Sequence, residues 1–415
     1  MGKWNKGTIA TTCQNLDKLR IPISGTERSS IQGDIPYYGA NGQIGYIDDF
    51  IFDEPLILIA EDGGNFEQYE SRPIAYRISG KSWVNNHAHI LRALPSYDQD
   101  YIFYSLEHKN VLYYIAGGTR SKLTQKELSK IEIVYPEDIK EQQKTAQIFA
   151  TLDEAISKTK AIIEKYNSIK IGLMQDLLAN GIDENGVIRS QKTHEYKDSP
   201  SGKIPVEWDV FSLLDITEKI ADRDHTTPVY VKSGVPIISP KDFDEDENIS
   251  FEKCSYISYE AHLFNRKKTD IKPLDIIFTR IGAGLGKSCV VTENMPEFSI
   301  LHSAALIRAN NKVLPYFLMC AMKSFYFQKQ IYNGIQSIGV PDLGIDKIAA
   351  LSVKMPKDKK EQYRIQMILN SIAEKIMSEK STLDKLMKLK MGLMQDLLTH
   401  KVSVDPLLER SVENE

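Results

Sequence analysis

Two long segments of the chain carry apolar residues at steps of three and four, the spacing of one helix face. The first follows Pro136 and the second follows Pro356, and neither contains another proline or glycine before Gly172 or Gly392. Lys and Glu fill most other positions, so the pattern predicts two long helices that pair through a narrow apolar seam as a coiled coil. The predicted seam residues are Leu152, Ile156, Ile163, Leu173, Leu177, Ile372, Ile376, Leu383, Leu393 and Leu397.

The two segments are copies of each other. The heptapeptide GLMQDLL occupies residues 172–178 and again 392–398, which is 220 residues later, and the match extends back without a gap to the two prolines. The chain is therefore a tandem of two units, and each helix is the natural partner of the other. Antiparallel pairing would relate the units by an approximate two-fold axis. The alternative is a pair of ordinary amphipathic helices packed on separate domains.

The stretches outside the helices have a different pattern. Short apolar runs such as 56–60, 131–134, 275–278 and 305–307 are separated by Gly, Asn, Asp and Pro, which predicts strands and irregular loops. The fold class is therefore α+β, with two globular domains separated by long helices. The predicted divisions are 1–135, first globular domain; 136–180, central helical spacer; 181–204, connector; 205–355, second globular domain; 356–400, distal helical spacer; and 401–415, a tail frayed from residue 404 onward.

Composition narrows the function classes. The chain has 415 residues, 42% hydrophobic and 26% charged, with 52 Lys+Arg against 56 Asp+Glu, which excludes a single small module. Four widely spaced cysteines and the lack of a long apolar run predict a cytoplasmic protein outside the membrane. The net charge of −4 argues against a uniformly basic nucleic-acid binder, so any such role requires local basic surface.

The order of these parts resembles one family. Each helical segment begins near a Glu-Gln pair, at 141–142 and 361–362, and ends in GLMQDLL; the connector ends in SGKIP at 201–205, followed by Trp208. This arrangement resembles the specificity subunit of type I restriction-modification systems. The resemblance implies two target recognition domains, each reading one half of a bipartite double-stranded DNA sequence. It also implies that the helices set the half-site spacing and dock the methyltransferase (modification) subunits, through which a restriction/translocase subunit joins the complex.

A search for catalytic chemistry gives no convincing constellation. The Asn/Asp-Pro-Pro-aromatic motif of amino-methyltransferases does not occur, and GAGLGKS at 282–288 is one residue too short for a phosphate-binding loop. The pattern instead predicts a tight turn, or a loop whose small residues let backbone amides and Arg280 or Lys287 approach DNA phosphate. We therefore expect a non-catalytic subunit with no cofactor and no metal. The alternatives are a coiled-coil scaffold whose globular domains bind proteins and, third, an enzyme.

Candidate DNA contacts are side chains suited to guanine, adenine or phosphate. In the first domain they are Tyr38, Asn41, Asn85, Asn86, His87, His89, Arg120 and Lys122. In the second they are Arg223, His225, Thr226, Thr227, Lys241, Arg280, Lys287, Gln336 and Ser337. The structural alternatives are hydrogen-bonded turns and core positions. The segments 117–122 and 334–339 occupy the same place in their domains and are predicted to have equivalent roles.

Overall fold

The computed structural model describes residues 3–115, 121–282, 284–334 and 341–412. Contacts divide the chain into two compact units: Met1–Ala161 with Lys380–Glu415, here the first unit, and Ile162–Glu379, the second unit. Each unit contains one globular part and a section of both long helices. The predicted α+β class, with two globular parts and two long helices, is confirmed.

The globular part of the first unit consists of short strands and helices. Its elements are β1 (Trp4–Thr8), α1 (Ile9–Thr12), β2 (Cys13–Asn15), α2 (Gly25–Ser30), β3 (Ile35–Gly39), β4 (Gly42–Ile47), β5 (Phe52–Asp53), β6 (Leu56–Ala60), β7 (Ala75–Ile78), β8 (Lys81–Val84), β9 (Ala88–Ala93), α3 (Gln99–Glu107), α4 (Gln125–Leu128) and β10 (Glu132–Pro136). They form sheets in the orders β2-β9-β6-β7, β4-β3-β8-β5 and β1-β10. Strand β6 is buried along its whole length, because sheet neighbours and core side chains cover it.

The long helix α5 (Ile139–Asn180) follows, and then the second globular part. Its elements are β11 (Tyr196–Lys197), β12 (Ile204–Pro205), β13 (Trp208–Ser212), α6 (Leu213–Ile216), β14 (Thr217–Asp222), β15 (Tyr230–Val231), β16 (Val235–Ile238), β17 (Ser255–Ile257), α7 (Tyr259–Arg266), β18 (Ile276–Thr279), β19 (Ser288–Val290), β20 (Ser299–Ile300), β21 (Ala304–Ala309), α8 (Pro315–Met322), α9 (Phe325–Gly334), α10 (Ile345–Ala350) and β22 (Ser352–Pro356). The second long helix, α11 (Lys359–Leu397), and α12 (Asp405–Val412) complete the chain.

The two globular parts repeat the same strand pairings. β1 pairs antiparallel with β10, and Trp4 lies opposite Pro136; β13 pairs antiparallel with β22, and Trp208 lies opposite Pro356. The central strand of one sheet, β6, lies between β9 and β7, as β18 lies between β21 and β19 in the other. In each globular part, the last strand therefore leads directly into a long helix.

Both long helices begin three residues after the proline that marks the repeat. The prolines end strands β10 and β22, where the missing N–H is tolerated. Asp138 accepts a hydrogen bond from the Lys140 N–H at 2.8 Å, and Asp358 accepts one from Lys360 at 2.9 Å. These carboxylates satisfy amides of the first helical turn, which would otherwise have no partner.

Within each unit the long helices pair in the antiparallel sense. In the first unit, Ala146 and Phe149 near the start of α5 share a core with Met394 and Leu397 near the end of α11. In the second unit the relation is reversed, since the core holds residues late in α5 and early in α11, namely Leu177, Leu178, Ile365 and Leu369. The ten predicted seam residues are all buried or half-buried.

The prediction of a frayed tail from residue 404 is wrong for the described residues 404–412. The described chain continues as α12, and Val404 is 4% exposed in the core of the first unit. The Ser403 hydroxyl accepts a hydrogen bond from the Asp405 N–H at 3.1 Å, which stabilises the helix start. Burial of one valine and a side-chain cap therefore order a segment whose polar composition suggests disorder. Among the described helices, none is sufficiently long and apolar to span a membrane.

Candidate nucleic-acid interface

The same loop crossing occurs at one end of the central sheet in both globular parts. After β6, the Glu61 carbonyl accepts a hydrogen bond from the Leu123 N–H at 2.8 Å. After β18, the Arg280 carbonyl accepts one from the Leu343 N–H at 3.0 Å. Glu61 and Arg280 are therefore structural equivalents, and so are the segments that precede α4 and α10.

An ion pair joins the two crossing segments in each part, but the acidic and basic residues have exchanged segments between the two parts. Lys122 Nζ lies 3.0 Å from Glu61 Oε1, so the strand side supplies the acid. Arg280 Nη2 lies 2.8 Å from Asp342 Oδ1, so the strand side supplies the cation. The predicted contacts Arg120, Gln336 and Ser337 lie outside the described residues.

Four predicted contacts of the first part gather around the turn at Asp62. Asn41 Nδ2 donates to the Gly63 carbonyl at 2.8 Å, and His87 Nδ1 lies 2.9 Å from Asp62 Oδ1. Lys122 forms a β-bridge with Asp62, and both Lys122 and Asn86, the residue before His87, are exposed. Asn41, Asn86, His87 and Lys122 therefore form one polar surface at the end of the sheet.

His89 and Asn85 are placed differently from the prediction. His89 is 0% exposed, with Nδ1 2.6 Å from Asp17 Oδ2 and Nε2 2.7 Å from the Leu123 carbonyl. Asn85 is 8% exposed, and its Oδ1 accepts the His87 N–H at 2.8 Å. Neither side chain has surface to present to a base. They hold the loops that carry the exposed residues, while Tyr38 is half-buried beside Tyr76.

Asp17, Glu61 and His89 offer ligand atoms within 4.8 Å of one another, close enough for a metal ion. Protein cations already balance these acids, because Arg20 Nη1 and Lys122 Nζ contact Glu61 at 2.7 and 3.0 Å. Burial alone would raise the pKa of Asp17, but hydrogen bonds and charge from His89, with the Ile90 N–H, hold that pKa below its ordinary value. The donor set therefore fits an internal charge network rather than a metal centre.

Arg223 and Arg280 of the second part are also buried, contrary to their prediction as DNA contacts. Arg223 donates to Asn265 Oδ1 at 2.9 Å and to the Thr226 carbonyl at 2.7 Å. Arg280 is 3% exposed and donates to the carbonyls of Leu343 and His302 at 3.0 and 2.8 Å. Both guanidinium groups organise the loops around them.

The exposed candidates of the second part are His225, Thr226, Thr227 and Lys241. The His225 ring stacks on His302 at a centroid distance of 5.0 Å. Burial, followed by the nearby charges of His225 and Arg280, lowers the pKa of His302. A neutral imidazole at this position can accept as well as donate a hydrogen bond, which suits contact with a base edge.

The glycine run before Ser288 is a hairpin turn, as predicted. It joins β18 to the antiparallel strand β19, whereas a phosphate-binding loop leads into a helix. Gly282 and Gly286 have φ values of 92° and 93°, which glycine adopts without steric cost. Lys287 in this turn is half-buried and donates to the Asp244 carbonyl at 3.4 Å.

Sequence reasoning missed several side chains of the two globular parts. Arg20 and Asp17 support the loops of the first part, but nothing in their local sequence marks them. Tyr113 is 93% exposed just before the segment outside the described residues, and Tyr230 is 52% exposed. Both lie in apolar runs that favour burial, so only the structure identifies them as surface aromatics able to stack on a sugar or base.

Comparisons with known proteins agree with this geometry. The family model described as "Type I restriction modification DNA specificity domain" matches residues 2–166 and 205–388. A putative type I restriction enzyme specificity subunit of Haemophilus influenzae is 32% identical over 29% of this chain and 30% of its own length. The type I restriction enzyme MjaVIII specificity subunit of Methanocaldococcus jannaschii is 25% identical over 75% of this chain and 72% of its own. The crystal structure of a type I restriction-modification system S subunit from M. genitalium has the same fold, with a TM-score of 0.64, 16% identity and coverage of 96% of both chains.

Proposed function

The chain belongs to the family of type I restriction-modification DNA specificity domains, and we propose from this that each globular part reads one half of a bipartite DNA duplex. The matched regions include both globular parts, and the family assigns a role in DNA sequence specificity. Phosphate contacts would position the protein, and base-edge contacts from the loops at the sheet ends would supply the specificity.

One observation carries this proposal: the two parts have the same framework but different side chains at the end of the central sheet. The shared framework is the pairing of β1 with β10 and of β13 with β22. The equivalent crossings carry Glu61 with Lys122 in one part and Arg280 with Asp342 in the other. Because base recognition depends on the arrangement of donors and acceptors, unlike side chains on one framework suit two different half-sites.

We assign the partner-binding role to the long helices. Beside their buried seam they carry apolar side chains in solvent, including Ile171 at 60%, Met367 at 47% and Leu389 at 50% exposure. Such residues support docking of methyltransferase subunits, which would hold the methyl donor. A restriction/translocase subunit would join through them, and α5 and α11 would set the half-site spacing.

The test is selection from a randomised duplex library by the chain reconstituted with its methyltransferase subunits. We expect enrichment of two fixed half-sites with a constant gap, and an affinity that falls steeply and linearly on a log–log plot against salt. Enrichment of no bipartite sequence over random DNA would overturn the proposal and favour the protein-binding scaffold.

Loop variants extend the same selection. Replacing Asn86 and His87 with Ala should relax one half-site only, and replacing His225 and Thr226 should relax only the other. Each lost base contact should cost about 1–3 kcal/mol, or roughly fivefold to 150-fold in affinity. Asn185→Ala, in an exposed turn of the connector, is the matched control and should change neither half. Equal loss at both half-sites would contradict the assignment of one half to each part.

A further inference from the structure

A cavity of about 480 Å³ lies in the second unit, between its globular part and its sections of the two long helices. The wall is rich in methionine, with Met174, Met295, Met319 and Met377. Two lysines, Lys170 on α5 and Lys323 after α8, also line it. This volume is within the range of small-molecule sites, and methionine walls adapt to varied apolar shapes.

The first unit contains a region that is structurally equivalent to this cavity. Gln142 and Gln362 are 220 residues apart and accept hydrogen bonds from the N–H groups of Asp98 and Leu314, both at 2.9 Å. Asp98 and Leu314 directly precede α3 and α8, so these helices correspond with an offset of 216 residues. The correspondence pairs Tyr104 with Cys320, Glu107 with Lys323, Asp153 with Ala373, and Lys390 with Lys170.

In the first unit the protein's own side chains fill this place. Lys390 Nζ lies 2.7 Å from Glu107 Oε2 and 2.6 Å from Asp153 Oδ1, and 5.3 Å from the centre of the Tyr104 ring. Arg77 lies against the same ring and contacts Asp153 at 3.4 Å. Lys390 is only 7% exposed, so one buried cation is satisfied by two carboxylates and an aromatic ring.

In the second unit every one of these partners is replaced. The two carboxylates are replaced by Lys323 and Ala373, and the tyrosine ring by Cys320. Val290 replaces Arg77, because Arg77 lies opposite Ile57 and Val290 lies opposite the equivalent residue, Ile276. Lys323 is held by Glu247 at 2.8 Å. Within the described chain, Lys170 makes no ion pair or hydrogen bond, although its equivalent makes two ion pairs.

Lys170 is half-buried in this wall and is the lysine with which an anionic group of an occupant would pair. Burial raises the pKa of the Cys320 thiol to about 11, and the positive charges of Lys323 and Lys170 oppose that rise, so both lysines act on the inner wall. The cavity's remaining acids, Asp246 and Glu374, are exposed. An occupant that supplies what the first unit provides would carry a carboxylate for Lys170, as Glu107 and Asp153 do for Lys390, and an apolar body for the methionine wall.

We propose that this cavity is a binding site for a small organic carboxylate with an apolar body, its carboxylate on Lys170 and its body between α5, α8 and α11. All of its lining residues belong to this chain, so the site can be tested on the full chain without DNA or partner subunits. The preference for an anionic occupant follows from the replacement of Asp153 and Glu107 by Ala373 and Lys323 on a repeated backbone framework.

The experiment titrates the full chain with octanoate by calorimetry, with 1-octanol and octylamine as probes that keep the apolar body and change the charge. We expect saturable binding of octanoate, weaker binding of octanol and none of octylamine. Lys170→Met should weaken octanoate binding by about tenfold to a hundredfold, because a charge-assisted hydrogen bond is lost. Lys165→Met, an exposed lysine of the same helix, is the matched control and should leave binding unchanged.

Ala373→Asp provides a second, independent test. It restores the carboxylate that Asp153 provides in the first unit and should pair with Lys170, so octanoate binding should fall while the free energy of unfolding is maintained or rises. Ala373 is exposed, so this variant should fold even if Lys170→Met does not. Absence of saturable octanoate binding, or unchanged octanoate affinity in Ala373→Asp, would overturn the proposal.

Discussion

At the scale of single residues, the end of the first central sheet depends on Asp17. Its Oδ1 accepts the Ile90 N–H at 2.9 Å, and its Oδ2 lies 2.6 Å from His89 Nδ1. Asp17 is 8% exposed, so water cannot replace these partners. The exposed Asn86 and the half-buried His87 thus rest on a charge network that does not itself reach the surface.

Replacing Asp17 with Asn removes the charge and keeps the shape. At pH 7 we expect a loss of about 1.5–3 kcal/mol in the free energy of unfolding, because hydrogen bonds to a charged group are lost. The pKa of Asp17 is lowered in the folded state. Its contribution is therefore present above the ordinary aspartate pKa of about 3.9 and disappears as the pH falls through the folded-state value.

The measurement is urea unfolding of the wild type and Asp17→Asn between pH 7 and pH 3. The difference between them should shrink below about pH 4. Asp198→Asn, whose side chain is 90% exposed, is the control and should differ from the wild type by less than about 0.5 kcal/mol throughout. A difference that stays constant with pH would show that the Asp17 charge does not stabilise the fold.

At the scale of elements, Glu361 fastens the start of α11 to the connector. Its carboxylate accepts hydrogen bonds from Arg189 Nη1 at 2.5 Å, Trp208 Nε1 at 3.0 Å and the Ile182 N–H at 3.1 Å. Both Glu361 and Arg189 are buried, at 3% and 6% exposure. The repeated Glu-Gln pair and the tryptophan at the domain start, two separate sequence signals, therefore meet at one junction.

Glu361→Gln should lower the free energy of unfolding by about 3–5 kcal/mol, because the buried Arg189 charge loses its nearer counter-ion and keeps only Glu207, at 3.8 Å. The control is Glu154→Gln, which removes an exposed i,i+4 pair with Lys158 and should cost less than about 1 kcal/mol. Chemical unfolding measures both. A cost below about 1 kcal/mol for Glu361→Gln would mean that the junction is held by packing alone.

The long helices could be predicted from sequence because their signal is local. The 3.6-residue periodicity and the exact repeat locate them to within three residues at each start. Burial of polar residues could not be predicted in the same way. His89 and Arg280 have the residue types of DNA contacts, but long-range pairings with Asp17 and Asp342 bury the first and tie the second to the fold. Tyr113 is the opposite case, because its apolar run favours burial but its side chain is exposed.

At the scale of the whole molecule, the net charge of −4 is an average over parts with different roles. The seam helices alternate Lys with Glu, while cations such as Lys122 and Lys241 lie at loops that also carry Asp and Glu. The boundary between the compact units crosses both long helices, after Ala161 and after Glu379. Lys160 and Lys380, which the repeat makes equivalent, lie beside these boundaries.

Lengthening both helices at these equivalent positions tests whether they set the half-site spacing. Inserting one heptad after Lys160 and another after Lys380 keeps the 3.5-residue seam in register on both helices. At 1.5 Å per residue each insertion adds about 10 Å, or roughly three base pairs at 3.4 Å each.

We expect duplex selection to return the same two half-sites with a gap longer by about three base pairs. A heptad inserted after Asn185, in the exposed connector turn, should leave the gap unchanged. If the gap stays constant in the double insertion while both half-sites are still selected, the spacing is fixed by the partner subunits rather than by α5 and α11.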